Sequence, residues 1–474
     1  MELRDKICSL VDAKADCFVD LNDRIWATPE LDFKETKSAA ALIEVLKAEG
    51  FQVEEGLAGI PTAFVGSWGS GRPIIGILGE FDALPGLSQK AGCPVKDPVV
   101  EGGNGHGCGH CALGSGSLAA AVAVKDYMKE TGMTGTIRYY GCPAEEHGCG
   151  KTFMTREGVF DELDAALTWH PGDNNSVWGV STLANRHIHF HFKGKTAHAA
   201  AAPQLGRSAL DACELMNVGV NYLREHIIPE ARIHYAYLDV GGDAPNVVQG
   251  TATTYYMIRA PKIKQVLELC DRVFDIAKGA ALMTGTEVTW EIKQGLCDYI
   301  PNRVLSELAE SCMQEVGAPD FDEADHELAR QFRATLTERE QAAPAALVRA
   351  LGAEKAQEMT KGGLCDTVLP YVHMPEVAMP GSTDVGDVSY AVPTAQMGMA
   401  TAALGTGAHT WQMTAQVASS IGHKALLTVG KALALTAVRL FEDPSIIDQA
   451  KAEHKTNAPE GYLCPVPDDV KPNL

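Results

Sequence analysis

Cysteine and histidine are concentrated in the segment Gly105-His106-Gly107-Cys108-Gly109-His110. Cys108 and His110 are two residues apart, so in extended backbone their side chains point the same way. Glycine allows the backbone of such a loop to approach a ligand closely. A thiolate and an imidazole on one side of it are suitable ligands for a borderline-soft divalent metal ion. The segment therefore indicates a metal site, with a purely structural glycine-rich loop as the alternative.

The same segment also contains a C-x-x-C sequence, Cys108-Gly109-His110-Cys111. In thioredoxin-like proteins that spacing marks a redox-active dithiol, which requires a strand before the motif and a helix that begins at the first cysteine. Here a glycine-rich loop precedes the motif, and no aromatic residue stands next to Cys108. We therefore prefer the metal-ligand interpretation and keep a thiol oxidoreductase as an alternative function.

Acidic and imidazole side chains recur where apolar runs typical of buried strands come to an end. Asp82, Glu145, Glu146 and His170 occupy such positions, and His409 follows an apolar run and a glycine turn. In open α/β sheets ligands bind outside the carboxyl ends of the strands, so we expect these groups to gather along one edge. For the adjacent glutamates a solvated turn is the alternative, but their position after a strand favours function.

Together these segments give five candidate metal ligands: Cys108, His110, Glu146, His170 and His409. One tetrahedral ion needs only four ligands. A thiolate that bridges two ions would use all five, and two-metal sites clamp both the attacking water and the substrate oxygen. Of the two adjacent glutamates, one would then coordinate metal while the other takes a proton from the water as general base.

Composition restricts the classes of partner. The 474 residues carry 40 basic and 61 acidic side chains, for a formal net charge of −21. This excess argues against nucleic acid and anionic membranes as partners. The 13 cysteines are odd in number and scattered, unlike a disulfide framework. Because the N-terminal residues lack the apolar core of a signal peptide and no long apolar run predicts a membrane span, we expect a cytoplasmic protein.

Three segments are predicted along the chain. Residues 1–185 and 298–474 alternate strands with helices, which predicts an α/β catalytic domain with a mainly parallel sheet and helices on both faces. Between them, residues 186–297 follow the order β-α-β-β-α-β of a ferredoxin-like unit, which we interpret as an inserted domain. Residues 318–362 are charged and helix-prone without catalytic spacing, and they predict a surface elaboration.

Three imidazoles, His187, His189 and His191, share one face of the first strand of the inserted domain. Their spacing could hold zinc. However, an exposed face of an antiparallel sheet normally carries polar residues, and no carboxylate or open position is apparent nearby. We therefore prefer an exposed polar face over a metal site.

Short motifs in order over nearly the whole chain resemble those of the M20 metallopeptidase family, in particular its amidohydrolase branch with hippurate hydrolases and auxin-conjugate hydrolases. The motifs are Asp82-Ala83-Leu84-Pro85, Cys108-Gly109-His110, Pro143-Ala144-Glu145-Glu146, Trp169-His170-Pro171, Gly194-Lys195-Thr196-Ala197-His198-Ala199-Ala200 and His409. The resemblance implies two divalent metal ions, manganese ahead of zinc. All five candidate ligands match the family's ligand positions, and Glu145 matches its general base.

The resemblance further implies that the inserted domain is a lid and a dimerisation module. His198 matches a histidine that polarises the scissile carbonyl in the partner's active site, and Asn246 matches a substrate-contacting asparagine. The chain is therefore expected to pair with itself or with a related A subunit.

Two departures from the family pattern concern the surroundings of His110, which Asp82 is expected to orient. The sequence Glu80-Phe81-Asp82 replaces the commoner Asp-x-Asp, and Cys111 replaces an aspartate that often follows the Cys-Gly-His triplet. Neither departure changes the expected set of ligands.

The resemblance implies a metal-dependent amidohydrolase that cleaves the amide bond of an aryl-acyl amino acid, with p-aminobenzoyl-glutamate as the expected small-molecule substrate. The carboxylate of such a substrate needs a cation, and arginine offers bidentate binding. Arg259, just after an apolar strand, is the preferred candidate and Arg207 the second, with structural ion pairs as the alternative for both. Alternative functions are a dipeptidase, another N-acyl amino acid hydrolase and a non-catalytic partner subunit.

Overall fold

A computed structural model describes residues 2–474 of the chain. Within this part of the chain there are thirteen strands: β1 (Gln52–Glu55), β2 (Phe64–Ser70), β3 (Ile74–Glu80), β4 (Gly135–Cys142), β5 (Ala165–Gly172), β6 (Ser176–Val177), β7 (Val180–Thr182), β8 (Ala184–Lys193), β9 (Arg232–Asp239), β10 (Thr251–Ala260), β11 (Glu287–Leu296), β12 (Met374–Met379) and β13 (Thr394–Ala400).

The same residues form sixteen α-helices: α1 (Leu3–Asp12), α2 (Ala15–Trp26), α3 (Thr36–Ala48), α4 (His110–Thr131), α5 (Gly150–Arg156), α6 (Ala209–Leu223), α7 (Ile263–Thr284), α8 (Arg303–Val316), α9 (Glu323–Arg333), α10 (Glu338–Gln341), α11 (Ala345–Leu351), α12 (Ala353–Gly362), α13 (Val385–Ala391), α14 (Trp411–Val417), α15 (Ser420–Glu442) and α16 (Pro444–Asn457). None of these helices has the length and apolar character needed to cross a membrane.

The larger sheet has seven strands in the order β1-β2-β4-β3-β5-β13-β6. Its centre is parallel, because β4, β3, β5 and β13 run in the same direction. Its edges are antiparallel, since β2 pairs in that way with β1 and β4, and β6 with β13. The prediction of a mainly parallel sheet is wrong for these edges, and the sheet is mixed. The connection between β1 and β2 is too short for the crossover that a parallel pair requires.

Helices cover both faces of this sheet. On one face, Ile75 and Ile77 of β3 belong to a core with side chains of α4, α8 and α15. On the other face, Leu78 and Tyr140 belong to a core with side chains of α5 and α13. Because both faces are buried in apolar contacts, the carboxyl ends of the parallel strands remain as the edge at which polar side chains can gather.

A second, fully antiparallel sheet has the order β11-β8-β10-β9. With α6 and α7 these strands follow the β-α-β-β-α-β order expected of a ferredoxin-like unit. The two helices pack on one face of the sheet through an apolar core of their own. We call residues 184–296 the antiparallel unit, since β8 begins at Ala184 and β11 ends at Leu296. The domain limits at 186 and 297 stay a prediction.

Residues 318–362 form the four helices α9 to α12. They do not simply project into solvent, because Leu347 and Ala356 are fully buried in a small core with Leu369 and Leu404. The prediction of a mere surface elaboration is therefore incomplete, because apolar side chains of this charged segment pack these helices against the rest of the chain.

Candidate metal centre and active site

A cleft of about 740 Å³ lies between the carboxyl ends of the parallel strands and the helix-free face of the antiparallel unit. One wall is formed by Cys108, Glu145, Glu146, His170 and His409. The other wall is formed by His187, His189, Tyr255, Met257 and Arg259. The candidate catalytic residues at the larger sheet therefore face a polar surface of the antiparallel unit across the cleft.

Two groups of metal-binding atoms meet in this cleft and share the thiol of Cys108. One group consists of Cys108, His110 and His170, and the other of Cys108, Glu146 and His409. Within each group, all donor atoms lie within 4.8 Å of one another. All five ligands predicted from sequence are thus brought together. A sulfur common to both groups has the arrangement that a bridging thiolate between two ions requires.

The buried carboxylate of Asp82 contacts a residue of each donor group. Its Oδ1 lies 2.7 Å from Nδ1 of His110, and its Oδ2 accepts the backbone N–H of Glu146 at 2.9 Å. The first contact leaves Nε2 of His110 directed at the donor cluster. Ligating histidines commonly have the second ring nitrogen bonded to a carboxylate in this way, which fixes both the tautomer and the ring orientation.

The other two imidazoles are also oriented by local contacts. His170 donates from Nδ1 to the carbonyl of Pro171 at 2.8 Å, so its Nε2 faces the sulfur of Cys108 at 3.5 Å. Nε2 of His409 lies 3.2 Å from Oε2 of Glu146. The residue His409 has a φ of +62°, a left-handed conformation in which its backbone N–H donates to the carbonyl of Gly107. Each ring therefore offers Nε2 to the cluster.

The chemistry of the cluster fits metal ions. Oε2 of Glu80, Nε2 of His110 and Oε1 of Glu146 are buried, and none has a hydrogen-bond partner among the described residues. Nε2 of His110 is 3.3 Å from the first of these oxygens and 4.0 Å from the second. Buried polar atoms without partners are costly, and here all three converge on one point. A cation at that point would satisfy them.

Glu145 belongs to neither group that shares Cys108, but it forms a further group of possible donors with Glu80 and His110. Burial raises the pKa of Glu145 well above the ordinary range of a carboxyl, and the negative charges of Glu80 and Glu146 raise it further. The preceding residue, Ala144, has a left-handed φ of +56°. Its N–H donates to the buried carboxyl of Glu35 at 3.0 Å, which holds the turn that presents Glu145 to the cleft.

An ion-pair network that the sequence did not reveal lies behind the donors. Nζ of the fully buried Lys151 is 2.7 Å from Oε1 of Glu80 and also contacts the carboxylate of Asp384. Although burial alone lowers the pKa of Lys151, the charges of Asp384 and Glu80 raise it well above its usual value. The two carboxylates thus favour the charged form of Lys151. Its one sequence signal is the preceding Gly148-Cys149-Gly150, which resembles an ordinary turn.

Arg259 reaches the cleft near the end of β10. Its half-buried guanidinium donates to the carbonyl of Pro380 at 3.3 Å, and its Nε is 3.0 Å from the sulfur of Met257. None of the ion pairs within residues 2–474 includes Arg259. It is a cation in the cleft that forms no ion pair with a carboxylate of the described residues.

His198, Asn246 and Arg207 lie outside the cleft of their own chain, on loops of the antiparallel unit. Nδ1 of His198 accepts the backbone N–H of Ala200 at 3.2 Å, so the ring is held by its own turn. The guanidinium of Arg207 donates to the carbonyl of Gly206 at 2.6 Å. Within one chain, none of the three predicted side chains lines the cleft that contains the donors.

The imidazole row on β8 is only partly an exposed polar face. His187 and His189 line the cleft, and His187 is buried. His189 and His191 also form a group of possible metal donors with Glu291. Nζ of Lys293 lies 3.3 Å from the carboxylate of Glu291 and opposes a cation there. We therefore retain a polar face for this row, with part of it turned towards the cleft.

The second cysteine of the C-x-x-C sequence has an environment unsuited to thiol exchange. Cys111 is fully buried in α4, and burial raises the pKa of its thiol. All cysteines within residues 2–474 are free. Because redox-active cysteines are accessible and have lowered pKa values, this environment argues against the oxidoreductase alternative.

The chain is similar to known proteins of one peptidase family. The model of peptidase family M20/M25/M40 matches residues 76–420. The B subunit of the p-aminobenzoyl-glutamate hydrolase of Escherichia coli K12 is 44% identical over 468 residues, which cover 98% of this chain and 97% of that protein. The Xaa-Arg dipeptidase of Mus musculus is 28% identical over 479 residues, or 97% of this chain and 94% of the relative.

A solved structure from Bacillus subtilis, described as a dinuclear metal binding peptidase from the M20 family, aligns with a TM-score of 0.58 at 17% identity. The alignment covers 92% of this chain and 99% of that protein. At such low identity the likeness shows a shared fold, which is the α/β fold of the M20 peptidases.

Replacement of Lys151 tests the buried ion-pair network. We expect Lys151→Met to lower the free energy of unfolding by about 3–5 kcal/mol, because it leaves Glu80 and Asp384 buried without a cation. Urea denaturation followed by circular dichroism measures the change. Lys90→Met is the matched control, since Lys90 forms an exposed pair with Asp97 and should alter stability very little. Equal, small effects of both substitutions would contradict the network's role.

Proposed function

The chain belongs to peptidase family M20/M25/M40, and from that membership we propose that this hydrolase cleaves p-aminobenzoyl-glutamate to p-aminobenzoate and glutamate. The observation that carries the proposal is the pair of donor groups that share Cys108 beside Glu145. The relative that is 44% identical over almost the whole chain supports this substrate, because its name includes that amide.

We infer that the two donor groups hold two divalent metal ions, with Mn²⁺ preferred over Zn²⁺. Cys108 would be shared, His110 and His170 would complete one site, and Glu146 and His409 the other. When bound, such ions polarise the substrate carbonyl and make water more acidic. The dinuclear Bacillus subtilis structure of the same fold supports the count of two.

Glu145 acts as general base in this proposal. Its carboxylate takes a proton from the water that attacks the carbonyl carbon, and the same proton then passes to the amide nitrogen as the carbon–nitrogen bond breaks. The products are a carboxylic acid and the free amino group of glutamate. Burial raises the pKa of Glu145 most, and the negative charges of Glu80 and Glu146 add to this effect; positive charge at the donor cluster would act in the opposite direction and favour the carboxylate.

Arg259 is the group that binds the substrate's carboxylate. It lines the cleft opposite the donors and has no carboxylate partner within the described chain. A planar guanidinium can bind a carboxylate through two parallel hydrogen bonds. Arg207 is a weaker candidate, since its guanidinium is bonded to the carbonyls of its own loop.

We propose that each active site is shared by two chains, with the antiparallel unit as lid and dimerisation module. His198 and Asn246 lie outside their own chain's cleft, so they are free to serve a neighbour's. Exposed apolar side chains on helix α6 and on the edge strand β9 support an interface on the antiparallel unit: Val218, Tyr222 and Leu238. The partner is a second copy or a related A subunit, and we place the assembly in the cytoplasm without nucleic acid or membrane.

A dipeptidase or another N-acyl amino acid hydrolase is the second candidate, because a dipeptidase is 28% identical over 97% of the chain. The same donors and base would serve either amide. A non-catalytic partner subunit is disfavoured, since such a protein has no need of a complete donor set beside Glu145.

Substitution of the adjacent glutamates separates the base from the ligand. We expect Glu145→Gln to keep its metal and to lose about 10²–10⁴-fold in turnover of p-aminobenzoyl-glutamate, because proton transfer is removed. Glu146→Gln should lose metal, since a carboxylate donor is removed. Metal content by plasma mass spectrometry and turnover by release of p-aminobenzoate give the two readouts. Equal loss of metal in both variants would contradict this division.

Mixing of two inactive variants tests the shared site. His198→Ala and Glu145→Gln should each be nearly inactive, but a mixed dimer has one site with both residues intact. After subunit exchange of equal amounts, about a quarter of wild-type activity is expected for a symmetric dimer. A mixture that exchanges subunits, as shown by labelled chains, and yet stays inactive would show that His198 does not serve the partner's site.

A further inference from the structure

A second cavity, of about 340 Å³, adjoins the donor cluster on the side away from the antiparallel unit. Most of its lining is apolar, with the side chains of Trp178, Val180, Met374, Met379, Ala346 and Ala350. The one lining residue with a full charge is Arg349, which is exposed. Because most of the lining is apolar and the guanidinium of Arg349 is on an exposed residue, the cavity is suited to an uncharged ring.

The two cavities adjoin each other and have three lining residues in common. His170, Trp178 and Met379 line both the cleft that contains the donors and the second cavity. The ring centroids of His170 and Trp178 are 5.9 Å apart, and the edge of Tyr299 packs against Trp178 at 6.5 Å. Trp178 thus packs against two rings, those of His170 and Tyr299, where the two cavities adjoin. The second cavity therefore lies directly next to the donor His170.

One wall of this cavity comes from the helices of residues 318–362, to which the sequence assigned no role. Ala346 and Ala350 of α11 are four residues apart and share the face turned to the cavity, whereas Leu347 is buried in the core behind it. Val348 of the same helix is exposed and lines neither cavity. Small side chains on one face of α11 therefore keep the space open.

We propose that this cavity, the α11 pocket, binds the aromatic acyl group of the substrate. The proposal rests on the proposed function for the position of the scissile carbonyl. Arg259, on the opposite wall of the main cleft, then takes the carboxylate of the glutamate half. The two halves of the substrate thus bind to different walls. The charged glutamate half faces the antiparallel unit, and the aromatic ring lies against Trp178 and α11. The segment 318–362 is thus a specificity element.

The substitution Ala350→Phe tests this proposal, because the larger side chain narrows the α11 pocket. Ala346→Phe is a second variant with the same purpose. Burial of an aromatic ring is worth about 1.5–3 kcal/mol, so its exclusion should lower kcat/KM for p-aminobenzoyl-glutamate by about tenfold or more. For N-acetyl-glutamate, which has a methyl group in place of the ring, kcat/KM should change less than about twofold, since the methyl group buries little area. Val348→Phe, on the outer face of the same helix, is the matched control and should leave both substrates unaffected.

Calorimetric titration with p-aminobenzoate gives a readout that does not require turnover. The metal-loaded wild type and Val348→Phe should bind it alike, and Ala350→Phe or Ala346→Phe should bind it about tenfold more weakly. Equal losses for both substrates, or unchanged binding of p-aminobenzoate in both pocket variants, would overturn the pocket assignment. If the wild type hydrolysed neither amide, the proposed function would fail, and the titration would still decide whether the pocket binds the ring.

Discussion

Burial of negative charge at one edge of the larger sheet is the constraint on which the rest of this structure depends. Five acidic or thiol side chains converge there: Glu80, Asp82, Cys108, Glu145 and Glu146. Buried charges are stable only when they are paired or bound to metal, because their desolvation costs several kcal/mol each. Lys151 is paired with Glu80 and Asp384, and it does not reach the atoms that remain without partners. The cluster is therefore built for additional cations.

The architecture can be understood as a means of holding that cluster together. The donors come from separate segments near the ends of parallel strands: His170 lies in β5, and His110 begins α4. Asp82 links two of these segments, because it contacts both His110 and the backbone of Glu146. Apolar cores on both faces keep the strand ends in register. The antiparallel unit forms the opposite wall of the cleft with Arg259, which has no carboxylate partner within residues 2–474. The larger sheet and its apolar cores thus hold the donors in place, and the antiparallel unit supplies the side chains that face the substrate.

The sequence predicted which five possible donors come together, but it did not predict what surrounds them. Cysteine, histidine and glutamate after apolar runs mark strand ends, and parallel strands bring such ends to one edge, so His170 and His409 could be placed together although 239 positions separate them. The antiparallel edge strands were missed because apolar runs do not encode direction. Lys151 was missed because a lysine after a glycine-rich turn is normally solvated, and only the fold shows that Asp384 meets it.

The role of residues 318–362 could not be predicted for a related reason. Their charge pattern describes the outward faces of the helices, whereas function depends on the inward faces, where Ala346 and Ala350 border a cavity next to His170. Small residues carry no chemical signature in a sequence. Likewise, the position of His198 outside its own cleft is a property of loop geometry rather than of the motif that contains it.

The measurement that tests this account most directly is the metal stoichiometry of hydrolysis. Chelated, metal-free protein should not release p-aminobenzoate from p-aminobenzoyl-glutamate, and titration with Mn²⁺ should restore turnover with an end point of about two ions per chain, as expected for a two-metal site. Unchanged turnover in protein shown to be metal-free, or full activity at a single ion per chain, would contradict the shared-thiolate arrangement at Cys108.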